Sequence, residues 1–323
     1  MKHSRFYQTI VATAIMLMGW LPLLAHDFEV DGIYYNILSN NNVEVTQGDY
    51  LGGSYSGNVI ISKTVRYSGV AYSVTSIGDY AFINCNSLTS VKIPNSVTNI
   101  GDYAFYCCTS LTSVEIPNNV TNIGNYAFAA CISLTNIEIP NSVTNIGDSA
   151  FQNCSSLTGV KIPNCVTSIG EWTFGGCFSF TSIEIPSSVT NIGDYAFYCC
   201  TSVTSVEIPN SVANIGNYAF GGCMNSDEIT CLATTPPTIY YDTFLNCDAD
   251  LYVPAGCKSA YQSANYWEKF NIIEIEESNA IEYVEAEQEA EYFDLQGLPV
   301  KNLEKGGIYI IKRGNKVSKS IVR

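Results

Sequence analysis

Glu115 and Glu138 stand 23 residues apart, and so do Glu184 and Glu207. On neighbouring parallel strands the carboxylates of each pair would lie about 5 Å apart, the separation used by a retaining glycosidase. Thirteen cysteines raise disulfide or metal chemistry, and a recurring acidic column raises calcium. Histidine chemistry has little material, because the chain holds only His3 and His26. Ser-His or Cys-His nucleophiles and His-ligated zinc therefore lack their usual base or ligand.

The spacing of these residues belongs to a larger pattern. Ile-Gly pairs begin at 77, 100, 123, 146, 169, 192 and 215, a constant step of 23 residues. Such a period means one stacked structural unit repeated along a solenoid. In the unit "LTSVEIP" from Leu111, Val114 and Ile116 face inward around an outward Glu115, which is strand alternation. Pro117 ends the strand because it has no N–H to donate. Val120 and Ile123 return to the interior, and Gly124 marks either a positive φ or a close approach of two backbones.

An acidic or amide residue follows each Gly (Asp79, Asp102, Asn125, Asp148, Glu171, Asp194, Asn217) and suits the exposed N–H groups of a short helical turn. That turn buries Phe at 82, 105, 128, 151, 174, 197 and 220, and three residues later comes a Cys. The predicted fold is an α/β solenoid, a right-handed coil with a parallel sheet and short helical turns. Its sheet is expected to include Val91–Ile93, Val114–Ile116, Ile137–Ile139, Val160–Ile162, Ile183–Ile185 and Val206–Ile208.

Residues 1–25 have the layout of a secretory signal peptide: Lys2 and Arg5, then an apolar run ending before Ala25. Residues 26–75 read as an N-terminal β cap, 76–230 as the repeats and 231–275 as a C-terminal cap. An acidic linker at 276–291 and a small β module at 292–323 complete the expected organisation. Export removes Lys2 and Arg5, leaving 13 basic against 30 acidic residues, a net charge near −17. Nucleic acid, whose binding depends on Lys and Arg neutralising phosphates, is a poor partner for such a chain.

The L-T-S-V-E-I-P, V-T-N-I-G and A-F-x-x-C segments resemble the BspA-like class of leucine-rich repeats over about residues 28–275. Small departures are Trp172-Thr173 for Tyr-Ala, and Phe180 and Val203 for Leu. The resemblance implies a surface protein of anaerobic bacteria, on the outer face of the outer membrane or secreted, that adheres to host matrix proteins or other cells. The end of the chain, with Asp-Leu-Gln-Gly at 294–297 and Gly-Ile-Tyr-Ile at 307–310, resembles tails used for export and surface attachment.

Two regular tracks are the candidate binding residues. One is the outward strand row Lys92, Glu115, Glu138, Lys161, Glu184 and Glu207; the other is the aromatic column Tyr80, Tyr103, Tyr126, Trp172, Tyr195 and Tyr218, interrupted by Ser149. A flat strand face offers no cleft and nothing to separate two carboxylate pKa values, so the row reads as a charged ladder and not as a catalytic pair. The acidic column lacks the glycine-rich nonapeptide pattern of calcium-binding coils. Seven column cysteines read as buried thiols; Cys107, Cys165, Cys199 and Cys257 lie off the column and are better placed for oxidation. No metal, cofactor or catalysis is expected. The leading reading is a protein-binding adhesin scaffold. A glycan-binding or glycan-processing surface protein and a ligand-free spacer are the alternatives.

Overall fold

Each 23-residue unit closes one coil, because alternating apolar residues on two short strands and a buried Phe leave it three inward faces. The computed structural model describes residues 26–48, 52–223, 225–275, 291–293, 300, 308–313 and 316–321. The predicted signal peptide and most of the acidic linker lie outside them. The chain divides into two compact units, residues up to 253 with 257–273, and residues 254–256 with 274–323.

In the first unit the coils stack in parallel with a register of 23. Val91 pairs with Val114 and Lys92 with Glu115 on one side. Ile100, Ile123 and Ile146 align on a second side, in two-residue Asn-Ile strands. The third side is the Phe segment, and here the structure departs from expectation. The segment is a run of turns, and among the described residues the α-helix is Lys258–Gln262, in the C-terminal part. Its N–H groups alternate. Those of Tyr80, Phe82 and Asn84 bond carbonyls of the next coil (Asp102, Ala104, Tyr106), while Ala81, Ile83 and Cys85 bond three residues back. A helix would turn nearly all of these donors onto its own coil and leave the stack unbonded on this side. The alternation sets Tyr80 and Asn84 at φ 60° and 56°, and their counterparts in later coils likewise.

The Phe column is fully buried. Its rings form one continuous stack from Phe82 to Phe244, with centroids 4.8 Å apart at the first step and 5.6 Å at the widest. Tyr55 covers the first ring at 4.5 Å and donates its hydroxyl to the Thr46 carbonyl at 2.5 Å. Trp267 and Phe270 cover the last, and Trp267 Nε1 donates to Pro237 O at 2.8 Å. At the N-terminal end Phe28–Val30, Ile33–Ile37 and Asn42–Thr46 form an antiparallel meander. Its third strand pairs in parallel with Val70–Ile77, which starts the coil ladder.

The repeated glycine is required by close approach and not by a positive φ. A Cβ on Gly124 would lie 2.6 Å from the Gly101 carbonyl carbon and 2.7 Å from the Asp102 nitrogen. Gly124→Ala is therefore expected to cost about 1–3 kcal/mol by pushing two coils apart. Urea unfolding tests it, and an unchanged midpoint would contradict the close-packing explanation.

Both ladders stop between the same two coils. The strand face runs from Ser56–Ile60 through Ser87–Lys92 and Ser113–Glu115 to a lone bridge at Glu138, then restarts with the bridge Lys161 to Glu184. The second side likewise ends at Asn145–Ile146 and restarts at Ser168–Ile169. The expected strands 137–139 and 160–162 are thus reduced to single bridges. The turn side stays bonded across the break, with Ser149 N donating to Glu171 O at 2.7 Å and Phe151 N to Thr173 O at 2.9 Å. Two residue changes fall at this break. Ser168 ends the amide ladder in which Asn145 donates to Asn122 and Asn122 to Asn99. Thr173 stands where other coils have Ala and buries a hydroxyl oxygen that has no hydrogen-bond partner.

The second unit holds a three-stranded antiparallel sheet of Glu291–Phe293, Ile308–Arg313 and Lys316–Ile321.

Candidate binding surface

The strand alternation that buries Val91, Val114 and Ile137 turns Lys92, Glu115 and Glu138 outward, and all three are exposed. Register places them on one line with Ile60 before them: Ile60 beside Lys92, Lys92 beside Glu115, Glu115 beside Glu138. Beyond the break Lys161, Glu184 and Glu207 repeat the same order of charges, again exposed, followed by Thr230 and Tyr252. None of the six has a side-chain hydrogen bond or ion pair among the described residues. Two Glu-Glu neighbours are thus held one strand spacing apart, an arrangement that destabilises a sheet and is offset elsewhere.

The expectation of a flat face without a cleft is corrected. An open groove of about 880 Å³ crosses the first four coils of this face. Its floor carries the row from Ile60 to Glu138, with Asn58, Ser90, Ser113 and Asn136 along one flank and Asn95, Asn118, Pro117 and Pro140 along the other. Pro117 and Pro140 line this second flank but are themselves buried, so its exposed rim is Asn95 and Asn118.

The aromatic column forms two separate stacks. Tyr80, Tyr103 and Tyr126 lie face to face at 5.1 and 4.7 Å, and Trp172, Tyr195 and Tyr218 at 4.5 and 4.9 Å. Tyr106 and Tyr198, which the periodicity did not single out, pack edge-on against Tyr103 and Tyr195. Ser149 divides the stacks and is itself 2% exposed, so no open slot separates them. Ring faces inside each stack are covered by neighbours, and the edges are what solvent meets. Cys107 beside Tyr106 and Cys199 beside Tyr198 push those phenols above their ordinary pKa.

The acidic column does not cap a helical turn of its own coil. Asp79 Oδ1 accepts from Asp102 N at 2.9 Å, Asp102 from Asn125 N at 2.7 Å, Asn125 from Asp148 N at 2.9 Å and Asp148 from Glu171 N at 2.8 Å. Each side chain thus satisfies the backbone donor at the same position one coil further on. Among the described residues no three His, Cys, Asp or Glu side chains gather as a metal site.

The column cysteines are buried, and all thirteen cysteines are free thiols. From Cys108 to Cys223 each column thiol donates to the Phe carbonyl 26 residues earlier, at 3.0 to 3.5 Å. Burial pushes the pKa values of Cys85, Cys154 and Cys223 up to about 12, and holds Cys131, Cys177 and Cys200 well above the ordinary value. Such thiols stay protonated in the fold and ionise near 9.0 when unfolded. Their contribution to stability is full below that pH and is lost as pH rises toward 12. Urea midpoints should fall from pH 9 to 11, and less steeply in Cys154→Ala; equal slopes would deny the thiols this role. Among the off-column cysteines, Cys165 is exposed, while Cys107, Cys199 and Cys257 are half-buried.

A second cleft, of about 680 Å³, lies in the C-terminal part between Tyr241, Cys247, Asp248, Lys269 and Phe270. Lys269 donates to the Tyr241 carbonyl at 3.2 Å, and burial lowers its pKa. These residues come from variant coils whose spacing departs from the repeat, which hid them from periodicity.

The coil geometry and its 23-residue register agree with the family comparison. A model described as "BspA type Leucine rich repeat region" matches residues 62–177 and 144–271 in six copies. The chain belongs to this family. Among solved structures the chain is similar to a leucine-rich repeat protein from Bacteroides ovatus, 28% identical over 71% of each chain with a TM-score of 0.47. It is also similar to a leucine rich cell surface protein from Faecalibacterium prausnitzii, 24% identical over 78% of this chain and 95% of that one, TM-score 0.46. The T. pallidum leucine-rich repeat protein is 26% identical over 55% of this chain and 90% of that one, TM-score 0.44. No curated protein matched the chain. No helix among the described residues is long and apolar enough to cross a membrane.

Proposed function

We propose that this leucine-rich repeat protein is a secreted or surface-displayed scaffold that binds other proteins through its strand face, as an adhesin for host matrix proteins or other cells. The observation that carries the reading is the row from Lys92 to Glu207: exposed, regularly spaced, and without partners of its own in the described residues. Side chains that neither serve the core nor neutralise one another are available to a ligand at no cost to the fold. Regular spacing lets several weak contacts act together. The apolar run before Ala25 and the lack of a spanning helix among the described residues fit export.

The aromatic track is the weaker site for a glycan, because sugars pack on ring faces and these faces are already stacked on one another. The Glu pairs are exposed on an open face, with no enclosed site around them for acid catalysis. The test is binding of the mature chain to a panel of immobilised purified matrix proteins, alongside a glycan array with product analysis. Saturable protein binding that free glycans do not compete supports the scaffold. Glycan turnover lost in the pair Glu115→Gln and Glu138→Gln would replace it with the enzymatic reading.

A further inference from the structure

The row over the groove has an order as well as a charge. Reading across the coils it presents Ile60, Lys92, Glu115 and Glu138, that is, apolar, positive, negative, negative. Ile60 is 71% exposed, which is unusual for a residue of its kind on a strand. The coils beneath Lys92, Glu115 and Glu138 are spaced by 4.8 and 5.0 Å, measured on Phe82, Phe105 and Phe128. A ligand lying along the row must bring one side chain to each coil at that interval.

Two kinds of polypeptide segment are available, and the interval separates them. An extended strand presents every second residue, a step of roughly 6.7 Å, and so gains about 1.8 Å per coil. Over the three steps from Ile60 to Glu138 it slips by about one whole coil. An α-helix presents one side chain per turn at 5.4 Å and gains only about 0.5 Å per coil, or roughly 1.5 Å over the same span. A long Lys or Glu side chain absorbs that difference. Asn95 and Asn118 flank the row on one side and Asn58 and Ser90 on the other, leaving an open channel along the row in which a rod can lie.

A second copy of the chain is a poor occupant. Face-to-face packing about a twofold axis sets a glutamate of each triad against another glutamate, and it brings together two chains of net charge −15.

Resting on the strand-face reading above, we infer that the groove from Ile60 to Glu138 receives an α-helix of the partner protein carrying one apolar, one acidic and two basic side chains on successive turns. The acidic side chain meets Lys92, the basic pair meets Glu115 and Glu138, and the apolar one covers Ile60. Because Lys161, Glu184 and Glu207 repeat the triad beyond the ladder break, a partner with two such helices engages the face twice.

The test uses the mature chain and three synthetic peptides. The first is an alanine-rich helix of about 18 residues with Leu, Glu, Lys and Lys on successive turns of one face. The second exchanges its Glu and Lys positions with their signs inverted, and the third carries the first sequence with two central prolines that forbid a helix. Titration calorimetry should show the first peptide binding at least tenfold more tightly than either control. The variant Lys92→Glu, Glu115→Lys, Glu138→Lys, with its unfolding midpoint checked, should instead prefer the second. Equal binding of the proline peptide, or a preference unmoved by the reversed triad, overturns the helix inference. A matrix protein that depends on Glu115 and Glu138 but is displaced by the proline peptide refutes the helix and leaves the strand-face function standing. A partner indifferent to the whole row refutes both.

Discussion

Phe128→Ala is expected to lower the free energy of unfolding by about 3–5 kcal/mol, the largest loss among single substitutions in the repeats. Phe128 has no exposed surface, and its ring is stacked at 5.0 Å on Phe105 and at 5.4 Å on Phe151. Truncation removes both contacts and opens a cavity between coils that cannot collapse, because the turn side is tied on each side by backbone bonds. Phe105 N donates to Ala127 O, and Phe128 N to Ala150 O. The carbonyl of Phe128 also accepts the Cys154 thiol, so any shift of this backbone strains the sulfur ladder as well. In a solenoid each coil is stabilised by its neighbours, and loss in a central coil weakens two interfaces together. Urea unfolding of the wild type and the variant measures it. A loss below about 1 kcal/mol would mean that the ring stack is not what holds the coils together.

The second large effect concerns binding. Replacing Glu115, Glu138, Glu184 and Glu207 together with glutamine is expected to weaken a protein partner at least tenfold while leaving the fold intact. These carboxylates are exposed and have no partners among the described residues. Glu115 lies beside Glu138 and Glu184 beside Glu207, so removing the charges relieves like-charge repulsion and should raise the unfolding midpoint slightly. With the wild type, association with a basic partner should slow as salt rises, because the field of a chain of net charge −15 draws it in. The variant should lose most of that salt dependence. The control replaces Tyr103, Tyr126 and Tyr195 with serine, a residue the column already tolerates at position 149 with φ 56°. If binding survives the glutamine set and fails in the serine set, the aromatic edges are the contact surface and the strand face is not.

The period, the inward columns and the family were legible because they depend on chemistry within one unit. Val-x-Ile before Pro reads as an extended segment with one face buried, and a Phe kept every 23 residues reads as a column stacked on itself. The same reasoning placed Lys92 to Glu207 on the outside of the sheet, where the structure has them. It failed where a residue's partner belongs to another coil. Asp102 looks like the cap of its own turn, yet its carboxylate serves Asn125 N one coil away. Gly124 could be read as a positive-φ position or a close approach, and only the Gly101 backbone 2.6 Å away decides for the second.

The sequence by itself thus determined the solenoid, its register and the identity of its buried columns, since alternation and period are properties of local stretches of chain. Only the tertiary structure decided that the Phe segment is a run of intercoil turns, that both ladders break between Glu138 and Lys161, and that a groove lies over the first four coils. Each of these depends on the distance between backbones 23 residues apart. That distance is set by the packed stack as a whole.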